Sequence, residues 1–138
     1  MPWSAAEPGT EPEVVEYPTG AALMVRKYFI QAMRNIDERY GQYGSDAEIC
    51  HQIHHAGKDI LLIPDARVIH HGTGQPQNEM EAADRALGLA RYIGKHYGLA
   101  SGWKARIGAV LSALGGFRLS RFANLISGQK IDGSQSGA

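Results

Sequence analysis

Between Ile36 and Gly72 the chain switches structural signal repeatedly within a short span, and this density of switches constrains the fold more than any other feature. Asp37 to Gly44 (DERYGQYG) is loop chemistry, with glycines and tyrosines interleaved among charges. Ser45 and Glu48 then form a capping-box pattern, and Ile49, Cys50, Ile53 and Ala56 supply the apolar stripe of a helix. Gly57 is a natural stop. Asp59–Ile63 reads as a short strand, Pro64-Asp65 as a turn and Ala66–Ile69 as a second extended piece. Upstream, the continuous apolar run Thr19–Arg26 predicts a buried strand, which passes into a helix over Lys27–Ile36. Downstream, Asn78 can cap a long helix reaching about His96. A last helical region spans about Gly102 to Ile126, weakened at Gly115-Gly116. The order strand, helix, helix, strands, helices predicts an α/β fold whose sheet is incomplete, because few strands serve so much helix.

With 43% apolar residues in 138, the chain can bury a real core. Residues 1–13 and 128–138 differ from the rest, being rich in Pro, Glu, Gly and Ser, and read as tails. Formal charge sums to zero, which argues against broad nucleic-acid binding. The distribution is nonetheless uneven. From Lys95 to Arg121 the chain carries Lys95, Lys104, Arg106, Arg118 and Arg121 and no acid, so residues 101–127 are expected to form basic amphipathic helices suited either to an anionic membrane surface or to packing on another part of an enzyme. Cys50 is alone, so no internal disulfide can form. The opening residues lack a basic-then-apolar run, and no stretch approaches the roughly 20 apolar residues of a membrane span. The expected location is cytoplasmic, either free or peripheral to the inner face of the plasma membrane.

Seven short elements occur in an order that carries a further expectation: Gly20-Ala21-Ala22, Ile36-Asp37-Glu38, Ser45-Asp46-Ala47-Glu48-Ile49, Ala56-Gly57, the apolar strand at 59–63, Pro64-Asp65-Ala66-Arg67-Val68-Ile69-His70, and Lys95-His96-Tyr97-Gly98. Over roughly residues 13–100 this series resembles the C-terminal catalytic segment of inverting family 2 glycosyltransferases, rhamnosyltransferase-like members included. The resemblance implies a partial GT-A domain, the acceptor-side half (residues 14–100) with appended C-terminal helices. It implies transfer of a sugar from a nucleotide-sugar to a hydroxyl of a glycan or lipid-linked acceptor, assisted by a divalent metal (Mg or Mn), in cell-surface polysaccharide or glycolipid synthesis. It maps the catalytic base onto Asp46 and a metal ligand onto His70.

Each of these residues also has a plainer reading. An acid such as Asp46 in a first helical turn stabilises the helix by about 0.3–1 kcal/mol without catalytic duty. His70 fits an ordinary polar residue leaving a strand, and His71 would then point to the opposite face. Gly20 allows backbone or acceptor to approach closely, or simply packs in a sheet. Tyr40 and Tyr43 can stack on an acceptor sugar or stand as loop tyrosines. His51 and His55 lie four apart on one helix face, but Gln52 stands where a zinc peptidase needs its glutamate, so a solvated helix face is the better reading. No Asp-x-Asp occurs in the chain, and no Gly-rich strand-to-helix turn precedes residue 19. Donor binding is therefore expected from elsewhere, and the chain alone is expected to be inactive. The alternative is a non-catalytic interaction module derived from that fold, either at a membrane surface or away from one.

Overall fold

A computed structural model describes residues 9–33, 36–69 and 78–131. These residues are 57% helix and 5% strand, with a single two-stranded sheet. The expected α/β architecture, a partial GT-A domain, is thereby corrected: such a domain is organised around a parallel sheet, and here the described residues are organised mostly by helices. The chain divides into two compact units, one holding residues 9–33 and 46–69, the other 36–45 and 78–131.

In the first unit, β1 (Glu13–Val15) pairs antiparallel with β2 (Ile60–Leu62), Val14 opposite Leu61. β2 falls inside the expected strand, while β1 comes from the margin of the expected N-terminal tail. The expected strand at Thr19–Arg26 is not formed. Gly20–Ala22 makes a short 3-10 turn, and Leu23 to Arg26 runs extended but joins no ladder. Its side chains still alternate. Leu23 and Val25 pack on the core while Met24 is 99% exposed, so the period-2 pattern serves one-sided packing without a neighbouring strand. α1 (Lys27–Ala32) follows, shorter than the expected helix to Ile36.

α2 (Ser45–His55) buries Ile49, Cys50 and Ile53 against Ile60 of β2, with Val15, Tyr17, Leu23, Val25, Phe29 and Met33 around them. Gly57 sits at φ +65°, and the Lys58 N–H reaches back to the Ile53 carbonyl at 3.1 Å. That is the left-handed helix end for which glycine is the least strained residue. Pro64-Asp65 turns as expected, the Ala66 N–H donating to the Ile63 carbonyl, and Ala66 to Ile69 then joins no sheet.

The second unit is built on α3 (Glu79–His96), α4 (Leu99–Gly115) and α5 (Leu119–Ser127). Asn78 caps α3 as expected: its Oδ1 accepts the Glu81 N–H at 2.8 Å, and its Nδ2 donates to Glu81 Oε1 at 3.1 Å. Ala83, Leu87, Ala113 and Leu125 form the core, with Ala86, Ala109, Val110 and Phe122 packed on it. α3 and α4 approach closely at glycines, since a Cβ on Gly102 would lie 2.6 Å from the Gly94 Cα. The amphipathic face expected between Trp103 and Ile126 is resolved into two. Val110, Phe122 and Leu125 turn inward, whereas Trp103, Ile107, Leu111, Leu114, Leu119 and Ile126 stay exposed.

Candidate functional site

Asp46 lies in the first turn of α2 and fixes the polar geometry of the first unit. Its Oδ2 accepts the Gly20 N–H at 3.2 Å and its Oδ1 accepts the Ala47 N–H at 2.9 Å. Two of the candidate residues, 26 positions apart in sequence, thus meet directly. The contact is tight: a Cβ on Gly20 would lie 3.3 Å from the Asp46 Cβ, so a methyl there would require one of the two to shift by a few tenths of an ångström. The turn Gly20–Ala22 is solvent-exposed, and Asp46 is half-buried beside it. Each carboxylate oxygen has a second lone pair after taking one backbone donor, so an approaching hydroxyl can still be received.

Cys50, one helical turn beyond Asp46, is 2% exposed. Burial, reinforced by the Asp46 charge, pushes its thiol up to about 11. The neutral thiol faces the Pro18 carbonyl oxygen at 4.0 Å and fills core space. Glu48 is buried in the same turn, with its Oε1 accepting from Gln52 Nε2 at 2.9 Å. His54 Nε2 lies 2.9 Å from the Glu16 carbonyl, tying the end of α2 to the residue after β1. The His51 and His55 rings stack at 6.3 Å between centroids.

The other two acceptor candidates belong to the second unit, where their partners lie in the loop itself and in α3. Tyr40 is 5% exposed, its ring close against Gly44. Tyr43 is half-buried, its hydroxyl 3.4 Å from Glu81 Oε2; burial, followed by the Glu81 charge, raises the phenol above its ordinary value. Beneath them lies a residue the sequence reading did not single out. Asp84, on α3, is 1% exposed. Its Oδ2 accepts from the Gln42 N–H at 2.8 Å and the Tyr43 N–H at 3.3 Å, and its Oδ1 from the Ile131 N–H at 3.3 Å. Gly41 is the close-approach point of this loop, since a Cβ there would collide with the Asp84 carboxylate. The signal lay in the helix pattern: Asp84 occupies the stripe that Ala83, Leu87 and Ala90 mark as buried. Asp37 anchors the loop's other end. Hydrogen bonds from Arg39 hold its carboxyl well below the usual carboxylate range; burial opposes this, and Lys95 at 3.0 Å adds to it.

The candidate metal ligand His70, with His71, lies outside the described residues. Among the described residues no group of three or more His, Cys, Asp or Glu side chains could hold a metal ion, and no helix is long and apolar enough to cross a membrane. No family model, curated protein or solved structure matches the chain.

Proposed function

We propose that the chain contributes the acceptor-side base of a sugar-transfer reaction, with Asp46 in that role and Gly20 beside it. The hydrogen-bonded pairing of these two residues is the observation that carries the reading, because each was singled out by a different element of the family 2 glycosyltransferase resemblance. The proposal concerns this chemistry and not the α/β architecture first expected. The acceptor hydroxyl gives its proton to a free lone pair of Asp46. Its oxygen then attacks the anomeric carbon as the bond to the nucleoside diphosphate breaks, inverting the configuration. The backbone donors on both carboxylate oxygens hold the base in one orientation, so the proton acceptor is positioned before the acceptor arrives.

A divalent cation belongs to the same resemblance, and the described residues supply no ligand set for one. The nucleotide-sugar is assigned to a donor-binding half carrying the Asp-x-Asp pair. The compartment proposed is the cytoplasm. The second reading is a non-catalytic interaction module. It is favoured by the fact that Asp46 already serves as a clamp between α2 and the Gly20 turn.

The test combines the chain with a donor-binding half and measures nucleoside diphosphate release from a panel of nucleotide-sugars. Asp46→Asn keeps the size and one of the two oxygens that receive a backbone N–H but removes the base, and turnover should fall by about 10²–10⁴. The 138-residue chain unaided should release nothing. Turnover of Asp46→Asn close to that of the unaltered chain would favour the clamp and sink the catalytic reading.

A further inference from the structure

The outward face of α4 is unlike that of a helix meant for water. Leu99, Trp103, Ile107, Leu111 and Leu114 follow one another at intervals of four, four, four and three, which places them on one face. All five are exposed, from Leu114 at 45% to Leu99 at 78%. They take no part in the core of the three-helix unit, to which α4 contributes Ala113 with Ala109 and Val110 packed on it. A solvated helix places charge on its outward face. Here the only charged residue among the exposed positions of α4 is Lys104.

The corner that follows is stranger. α4 ends at Gly115 with Gly116 as its cap, yet the left-handed position falls on the next residue, Phe117, at φ +52°. The Arg118 N–H returns to the Ala113 carbonyl at 2.9 Å, completing the helix-ending motif around it. Phe117 is the one non-glycine residue at positive φ among those described, and its ring is 89% exposed. The fold gains almost no burial from this side chain and bears the strain of its backbone. Strain kept where it gives no folding benefit marks a position held for another purpose.

Charge says what kind of surface is met. Residues 86–131 contain Arg91, Lys95, Lys104, Arg106, Arg118, Arg121 and Lys130, and no Asp or Glu. Some of these are committed internally. Arg106 donates to the Leu125 and Ile126 carbonyls, and Arg118 and Arg121 both lie against Glu79, leaving that cluster with net positive charge. An apolar ridge with a tryptophan along it and an aromatic tip, in a segment with more cations than the one anion, Glu79, that meets them, has the chemistry of a helix lying in a lipid headgroup region. We infer that α4 and the Phe117 corner form a docking surface for an anionic lipid bilayer, with Phe117 entering the acyl boundary. This does not rest on the sugar-transfer reading and can fail separately from it.

The experiment uses the full chain carrying Trp3→Phe, which leaves Trp103 as the sole tryptophan. Vesicles of phosphatidylcholine, with and without phosphatidylglycerol, are floated with the protein at low and high salt while Trp103 emission is recorded. The expected result is binding to the anionic vesicles at low salt, with a blue shift of Trp103 and weaker binding in salt. Phe117→Gly and Leu111→Ser should each lower vesicle affinity tenfold or more. Phe117→Gly should do so while raising the thermal midpoint, so lost folding cannot explain it. Absence of binding to anionic vesicles, or binding that neither substitution changes, overturns the inference. So does a concentration-dependent dimer that both substitutions dissolve, which would make a second copy the occupant of this face.

Discussion

Asp84 allows the sharpest test of how the second unit is held together. Its buried carboxylate receives N–H groups from Gln42, Tyr43 and Ile131, joining the loop before α2 and the segment after α5 to α3. Truncation to alanine leaves three backbone donors without their acceptor. Gln42 is exposed and can turn to water, but Ile131 is 7% exposed and Tyr43 is half-buried. A buried donor left unsatisfied costs about 1–3 kcal/mol, and hydrogen bonds to a charged acceptor lie toward the upper end. Two such donors give about 3–4 kcal/mol for Asp84→Ala, a large share of the roughly 5–15 kcal/mol that ordinarily holds a domain. Asp84→Asn keeps one oxygen but turns an amide NH2 toward a backbone N–H, so about 1–2 kcal/mol is expected. Urea unfolding followed by circular dichroism measures both. Hydrogen exchange adds a local readout, since the Tyr43 and Ile131 amides should lose protection together while the Ala47 amide of the first unit keeps its own. A cost below about 1 kcal/mol for Asp84→Ala, or unchanged protection at those two amides, would refute the clamp.

Asp37 titrates abnormally low in the folded chain, so on acidification the unfolded state takes up that proton first. Its contribution is therefore complete at neutral pH and is lost progressively as pH falls below about 4; the stability gap between the unaltered chain and Asp37→Asn, no more than about 1 kcal/mol for partners this exposed, should narrow steadily from pH 5 down to pH 2 in urea titrations. Cys50, with its thiol raised to about 11 and its side chain buried, should react with iodoacetamide at pH 8 about two orders of magnitude more slowly than in urea, and faster in Asp46→Asn than in the unaltered chain; equal rates folded and unfolded would disprove the burial. Phe117→Gly relieves a left-handed backbone costing about 1–2 kcal/mol, offset by about 0.5–1 kcal/mol of glycine entropy, so calorimetry should find a gain of about 1 kcal/mol.

Local signals were legible where one segment's own chemistry decides the outcome. The Asn78 cap, the Gly57 stop, the Pro64-Asp65 turn and the break after Gly115 depend on a few adjacent residues, and all lie where the sequence puts them. What failed depends on partners far away in sequence. Thr19–Arg26 has the apolar content of a strand, but a strand needs a neighbour with free backbone groups, and β2 pairs with Glu13–Val15 instead. The α/β expectation failed with that segment. The amphipathic face of the C-terminal helices was visible as a pattern, yet periodicity cannot separate the half that faces the core from the half that faces outward. Of the candidate site, Asp46 and Gly20 were legible singly, and their contact was not, because nothing local couples a turn residue to a helix 26 positions on. Asp84 was missed because an acid in a helix reads as surface until its donors, 41 and 47 residues away, are known.

The way Asp84 gathers its donors has a consequence for synthesis. The loop at 36–45 leaves the ribosome well before α3, and the whole of 46–69 emerges between them. Among the described residues, that intervening stretch completes the first unit's own contacts, β2 with β1 and α2 with the Gly20 turn. The second unit cannot close in the same way. Its loop waits for Asp84, and both Ile131 and Lys130, whose ammonium reaches the Glu38 carbonyl, come last. Closing loops of that length is slow, and nascent chains that must wait expose apolar surface meanwhile. During translation the chain should therefore mature in two stages, with protease resistance of the first unit appearing before that of the second. Residues 130 and 131 act as the latch, so their emergence, rather than growth of the helices before them, sets the moment at which the second unit becomes whole.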